Sequence, residues 1–217
     1  MRRREFTALA LGTSTALAGL AASAPARAAP GDPIEGKDYK RLDHTVPLAE
    51  AGKVEVIEFF GFWCPHCFAF EAKLEPWAAQ LPGFVNFRRI PVSWSPMHEP
   101  YQKLFFALQD LKQLPALQRK VFDAIHVQGL HLETEAGRAS FARSNFIDPA
   151  KLEAALRGFS VDARSRQANQ LFQAYQGDGV PTLAIEGRFI TSPEIAGSEE
   201  RALQVTDFLI RKSRTAG

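Results

Sequence analysis

The chain has 217 residues, of which 46% are hydrophobic and 23% charged, with a formal net charge of +2. That length and apolar content support one domain with a hydrophobic core and room for an insertion, and they exclude wholesale disorder. The first 28 residues hold Arg2, Arg3, Arg4 and Arg27 against Glu5, so the remainder is close to neutral. It lacks the basic face that nucleic-acid binding wants, and no nucleic-acid partner is expected.

At the N-terminus, Arg2 to Arg4 form a basic region and Thr7 to Ala24 is uncharged and mildly apolar. Ala26-Arg27-Ala28 then supplies an A-x-A cleavage site. Residues 1–28 therefore read as an export signal peptide cleaved near Ala28. Arg3-Arg4-Glu5-Phe6 resembles a twin-arginine motif, with the general secretory route as the alternative. The stretch is rich in Ala, Gly, Ser and Thr and makes a poor permanent membrane span.

Residues 29–52 are polar and contain the lead-in segment Gly36-Lys37-Asp38-Tyr39. Val54 to Phe60 is apolar on both faces, as a central strand covered by helices would be. Gly61 breaks it. Apolar residues then fall at Cys67, Phe70, Leu74, Trp77 and Leu81, the alternating spacing of an amphipathic helix. Pro76 lies inside that helix and is expected to kink it. Phe84 to Val92 reads as the next strand. From about Met97 to Gln176 the pattern is helical: Tyr101, Leu104, Phe105, Leu108 and Leu111 form one stripe, and Val121, Phe122 and Ile125 another. Asp148-Pro149 reads as a capped helix start. Asp162 is expected to open a last helix through Leu171, Phe172 and Tyr175, ended by Gly177-Asp178-Gly179. Thr182 to Ile185 and Arg188 to Thr191 form a hairpin around Glu186-Gly187. Ala202, Val205, Leu209 and Ile210 mark a closing helix. This order gives an α/β thioredoxin-like domain over residues 29–217, with a helical insertion at about 97–176.

Only two cysteines are present, Cys64 and Cys67. Closing so short a loop stabilises a fold by only about 2 kcal/mol, against about 4.7 kcal/mol for a hundred residues. The pair is a poor staple, so its purpose is chemical. It stands where the buried strand meets the amphipathic helix. Pro65 suits the first helical position, which puts Cys64 at the helix N-terminus. Unpaired N–H groups and the helix dipole there favour a thiolate by up to ~2 kcal/mol, or about 1.5 pKa units. A protonated His66 would add to this, with a bystander His66 as the alternative. A stabilised Cys64 thiolate attacks and leaves readily, and it makes the disulfide a strong oxidant. A structural zinc site would need two of His44, His98, His126 and His131 as well, none at ligand spacing, so no metal is expected.

The segment Glu58-Phe59-Phe60-Gly61-Phe62-Trp63-Cys64-Pro65-His66-Cys67 resembles the active-site segment of the DsbA family of thiol:disulfide interchange oxidases. Phe70-Glu71, Gly179-Val180-Pro181 and the lead-in segment are similar to that family too. The resemblance spans essentially the whole mature chain in element order, strong around the motif and loose in the helical block. Thioredoxins carry Gly-Pro between the cysteines, and the bacterial isomerases commonly Gly-Tyr.

The resemblance implies a Cys64–Cys67 disulfide that is donated through a Cys64 mixed disulfide. It also implies a cis peptide before Pro181, with Val180 and Pro181 facing the disulfide to receive a substrate peptide as an added strand. Glu58 interrupts an apolar strand. Burial would raise its pKa and let it exchange protons with Cys67. The resemblance places a buried acidic residue there, and a solvated edge-strand glutamate is the alternative. Glu71 reads as a surface helix residue. Phe62, Trp63 and Trp94 are candidates for an apolar substrate surface or for ordinary core. The implied protein is a periplasmic monomeric oxidase that needs no cofactor. It acts on reduced, unfolded proteins and is reoxidised by a quinone-linked membrane partner of the DsbB type. A reductase or isomerase of the same fold, and a redox-inert binding module or chaperone, are the competing readings.

Overall fold

The computed structural model describes residues 31–215, so the export-signal reading of residues 1–28 lies outside the described residues. The centre of the fold is strand β2 (Val54–Phe60), with all seven residues buried. It pairs in parallel with β3 (Val85–Pro91) and antiparallel with β4 (Thr182–Ile185). Helix α1 (Pro65–Ala78) makes the crossover that a parallel pair requires. Five helices separate β3 from β4: α2 (Glu99–Asp110), α3 (Leu114–His126), α4 (Glu135–Ser144), α5 (Pro149–Leu156) and α6 (Phe159–Ala174). The chain ends with β5 (Phe189–Thr191), the short α7 (Pro193–Ala196) and α8 (Glu199–Thr215). A two-residue strand β1 (Lys40–Arg41) completes a sheet ordered β1-β5-β4-β2-β3. This is the expected thioredoxin-like α/β order.

Alternation along β2 sends Val54 and Val56 to a core shared with α1 and α8, including Phe70, Leu74, Val205 and Leu209. Ile57 and Phe59 pack on the other face against Phe172 and Tyr175. Phe60 reaches into the helical block, touching Phe105 and Phe122. Covering on both faces is why β2 reads as a continuous apolar run.

Several elements depart from expectation. Helix α6 starts at Phe159 with Gly158 as its extended N-cap, and Asp162 lies within the first turn rather than opening the helix. Its carboxylate instead meets Lys103 at 2.8 Å. Pro76 stands in the last turn of α1, which ends at Ala78, so the break expected there coincides with the end of the helix. Strand β1 is made of two exposed basic residues and carries no hydrophobic pattern. The hairpin turn falls at Glu186-Gly187, with φ of 55° and 63°. A side chain at Gly187 would stand 2.1 Å from the Val46 carbonyl oxygen, which leaves only glycine there.

Candidate active site

Cys64 is the N-cap of α1, with extended backbone, and Pro65 follows at the first helical position. The Cys67 backbone N–H donates to Cys64 Sγ at 3.4 Å. The Cys64 thiol in turn donates to the Val180 carbonyl oxygen at 3.5 Å. The Val180–Pro181 peptide is cis. Both cysteines are free thiols, so the geometry described is that of the reduced pair. Gly61 makes room for this corner: a side chain there would lie 2.5 Å from the Trp63 indole nitrogen.

The two sulfurs differ sharply in acidity. The Cys64 pKa falls to about 6. The largest cause is the hydrogen bond from the Cys67 thiol, followed by the backbone N–H groups of Cys67 and His66 and the charge of His66, with burial opposing them. Cys67 is pushed well up by burial, by its hydrogen bond to Cys64 and by the charges of Cys64 and Glu58. Their exposure differs little, at 4% for Cys64 and 0% for Cys67. The contrast between the two thiols is therefore one of ionisation more than of accessible area.

His66 is exposed. It lines a cavity of about 380 Å³ together with Val180, Pro181, Thr182 and Pro193. The Cys64-Pro65-His66-Cys67 segment and the Val180-Pro181 loop are thus brought together from two separate stretches of chain.

Beneath them lies a charged group that the sequence reveals only in part. Glu58 is 1% exposed, and its Oε2 accepts from Arg89 Nε at 3.1 Å. Arg89 Nη2 lies 2.9 Å from Glu71 Oε1. Burial raises the Glu58 pKa to about 8, against the charge of Arg89 and with help from that of Glu71. Burial likewise raises Glu71. Two carboxylates around one guanidinium thus retain a proton near neutrality. The surface reading of Glu71 is wrong, because Glu71 is 1% exposed. Its spacing of four from Cys67 puts it on the buried face with Phe70 and Leu74, and that spacing was the available signal. Arg89 escapes sequence reasoning altogether. It stands opposite Glu58 only once β2 and β3 are paired.

The aromatic residues divide. Phe62 is 1% exposed and packs against Phe60, Phe105 and Phe122, so it is core and not substrate surface. The chain turns inward at Gly61 and aims this ring into the helical block. Trp63 is half-buried, stacked on His98 at 3.7 Å and met edge-on by Trp94 at 4.9 Å. Trp94 is 53% exposed, so the apolar surface beside the cysteines is built from Trp63 and Trp94. His126, not singled out for this role, donates its Nε2–H to the Phe62 carbonyl oxygen at 2.7 Å and stacks on Phe68. Phe62→Ala is expected to cost about 3–5 kcal/mol of folding stability by opening a cavity. Urea melts would show this, and unchanged stability with weakened peptide binding would return Phe62 to the substrate surface.

A family model described as the DSBA-like thioredoxin domain matches residues 55–201. The thiol:disulfide interchange protein DsbA of Burkholderia cepacia is 37% identical over 195 residues, covering 89% of this chain and 92% of that one. DsbA of Azotobacter vinelandii is 35% identical over 216 residues, covering 100% of both chains. The crystal structure of Pseudomonas aeruginosa DsbA matches with a TM-score of 0.80 at 33% identity, over 84% of this chain and 95% of that one.

Proposed function

This chain belongs to the DsbA family and is a protein thiol:disulfide oxidoreductase, and from that premise we propose that it is exported and donates a Cys64–Cys67 disulfide to reduced, unfolded proteins. The observation that carries this reading is the split between an acidic Cys64 at the helix start and a proton-holding Cys67 three residues on. Residues 1–28 are the signal for export to the periplasm. Residues 97–176 are the helical insertion of the domain that follows.

A substrate thiolate attacks Cys64 Sγ in the oxidised pair. A Cys64 mixed disulfide forms, the Cys64–Cys67 bond breaks, and Cys67 leaves and takes up a proton. Glu58 senses the charge of Cys64, and its own charge reaches Cys67, which suits it to supply that proton. A second substrate thiolate then attacks the substrate sulfur of the mixed disulfide. Cys64 leaves as a thiolate, held by the hydrogen bonds from Cys67 and by the first backbone N–H groups of α1. The substrate loses two electrons and two protons, of which one proton rests on Cys67 and the other passes to solvent. Val180 and Pro181 flank Cys64, and the Val180 backbone can pair with an extended peptide. A quinone-linked membrane partner of the DsbB type returns the pair to the disulfide.

Alkylation of the reduced protein as a function of pH tests the assignment of roles. Cys64 is expected to react selectively at pH 5–7, with a midpoint near 6. Preferential labelling of Cys67 would reverse the roles. In His66→Ser the Cys64 midpoint should rise by about one unit and stay below an unperturbed thiol, because the helix terminus and Cys67 remain. A shift all the way to the ordinary thiol value would make His66 the sole cause. Equilibration with glutathione then distinguishes an oxidase from a reductase.

A further inference from the structure

His126, the last residue of α3, touches the chain on both sides of the cysteine segment. Before the cysteines, the Cys64 N–H donates to the Gly61 carbonyl oxygen at 3.0 Å and closes a four-residue turn. The middle peptide of that turn carries the Phe62 carbonyl. Its oxygen accepts from no backbone N–H among the described residues, and Phe62 is 1% exposed. The partner it has is His126 Nε2, at 2.7 Å. A carbonyl oxygen can only accept, so the His126 proton stands on Nε2. After the cysteines, Phe68 stacks on the same imidazole, with ring centroids 4.9 Å apart and planes 14° from parallel. The Phe68 N–H donates to the Cys64 carbonyl oxygen at 3.1 Å, within the first turn of α1. Arg119, also on α3, lies over the Phe68 ring at 5.3 Å and helps to keep it in place.

We propose that His126 is a positioning residue for the thiol chemistry: its Nε2–H holds the Gly61–Cys64 turn shut and its ring backs Phe68, so that Cys64 Sγ stays aligned with the backbone N–H groups that open α1. The Phe62 ring is anchored in the core, but that anchors its own Cα and leaves the plane of the next peptide to its hydrogen bonds. A buried carbonyl that loses its donor is costly. The turn relieves that cost by opening toward water, and Cys64, its last residue, moves with it. The Cys67 N–H, now 3.4 Å from Cys64 Sγ, then falls out of line, and the thiolate loses hydrogen bonds that favour it. A less stable thiolate makes the reduced pair less favourable and the disulfide a weaker oxidant. This inference rests on the reading of Cys64 as the attacking thiolate of an oxidase.

Two substitutions separate the donor from the ring. His126→Phe keeps an aromatic ring against Phe68 and removes the N–H, whereas His126→Gln removes the ring and keeps an N–H donor. Alkylation across pH and equilibration with glutathione at pH 7 are measured on both variants and on the wild type, with urea melts alongside. In His126→Phe the Cys64 midpoint should rise by about one pH unit, and the glutathione equilibrium should move about five-fold toward the disulfide. In His126→Gln both should stay close to the wild type. A loss of stability in His126→Phe with unchanged midpoint and equilibrium would make His126 ordinary packing and overturn the proposal. Equal shifts in the two variants would also overturn it, since the donor would then not be the cause. The wild type supplies a measurement that needs no folded variant. Proton–nitrogen NMR of the imidazole should show a His126 Nε2–H that exchanges slowly with water, and a bare or rapidly exchanging Nε2 refutes the hydrogen bond. The wild-type midpoint tests the oxidase reading and the differences between variants test His126, so the two fail separately.

Discussion

Serine at position 64 is expected to reduce dithiol oxidation to background, a loss of several orders of magnitude, whereas serine at position 67 should leave a protein that still forms mixed disulfides and holds them longer, because no neighbouring thiol is left to resolve them. The asymmetry follows from the helix start. Cys64 Sγ receives the backbone N–H of Cys67 and stands beside the Val180 carbonyl. Serine there offers a hydroxyl that is not ionised near neutrality and forms no bond to sulfur, and Cys67 at 0% exposure cannot replace it. In Cys67→Ser the Cys64 thiol persists. It loses the largest cause of its acidity, the Cys67 hydrogen bond, but keeps the backbone N–H of residue 67 and the helix terminus. Incubation with oxidised glutathione followed by mass measurement should show a stable glutathione adduct in Cys67→Ser and none in Cys64→Ser. An adduct on Cys67 in the Cys64→Ser protein would reverse the roles of the two sulfurs.

The second large effect is on stability, and its direction depends on pH. Cys64 has a folded pKa of about 6, below the unfolded thiol value of about 8.5. A depressed acid group contributes stability that is fully present above the unfolded value and is lost as pH falls through the folded one. The reduced fold therefore gains about 1.4 kcal/mol per pH unit between 6 and 8.5, to a total of about 3.4 kcal/mol. Only about 1.4 kcal/mol of this is present at pH 7, against the roughly 2 kcal/mol of loop closure in the oxidised form. The two forms are thus expected to be similar in stability at pH 7, with the reduced form ahead above about pH 7.5. Above about 8.5 the unfolded Cys67 thiol ionises while the buried one does not, which caps the gain. Glu58 acts the other way. Its raised pKa contributes stability at low pH that is lost as pH rises toward 8, but both redox forms carry it, so it largely cancels in their difference. Urea melts of both forms from pH 5.5 to 8.5 would measure the slope. A flat difference would mean that Cys64 is not an acidic thiol in the fold.

What could be read in advance followed the range of the interactions involved. The cysteine pair, its helix, strand β2 and the Glu186-Gly187 hairpin are local in sequence, and each carries its own pattern of spacing or turn chemistry. Asp148 caps α5 as read, with its Oδ1 accepting from Ala150 N–H. Elements without a local pattern went unseen: β1 exists because Lys40 and Arg41 pair with a distant β5. At the site, Glu71 was legible from its four-residue spacing to Cys67 and was misread as surface because charge was allowed to outweigh position. Arg89 was not legible, since only the pairing of two strands sets it opposite Glu58. Phe62 shows the converse error. Its place beside the motif suggested a substrate contact, while the turn at Gly61 sends its ring inward.

The glutamates of β2 have a consequence for how faithfully the chain assembles. Glu55 and Glu58 are both 1% exposed and point to opposite faces of the sheet. Arg88 lies 3.0 Å from Glu55, and Arg89 lies 3.1 Å from Glu58. Each face thus carries one ion pair between the same two strands. Slippage of β3 by one residue would exchange the faces of the two arginines. Two carboxylates would then be sealed among Val56, Ile57 and Phe59 without a counter-charge, at several kcal/mol each. Hydrophobic β strands tolerate such sliding, because one branched aliphatic side chain substitutes well for another. Here the misaligned strand pairings and dimers open to a valine- and phenylalanine-rich segment are penalised by buried charges, one pair of which sits beneath the sulfurs.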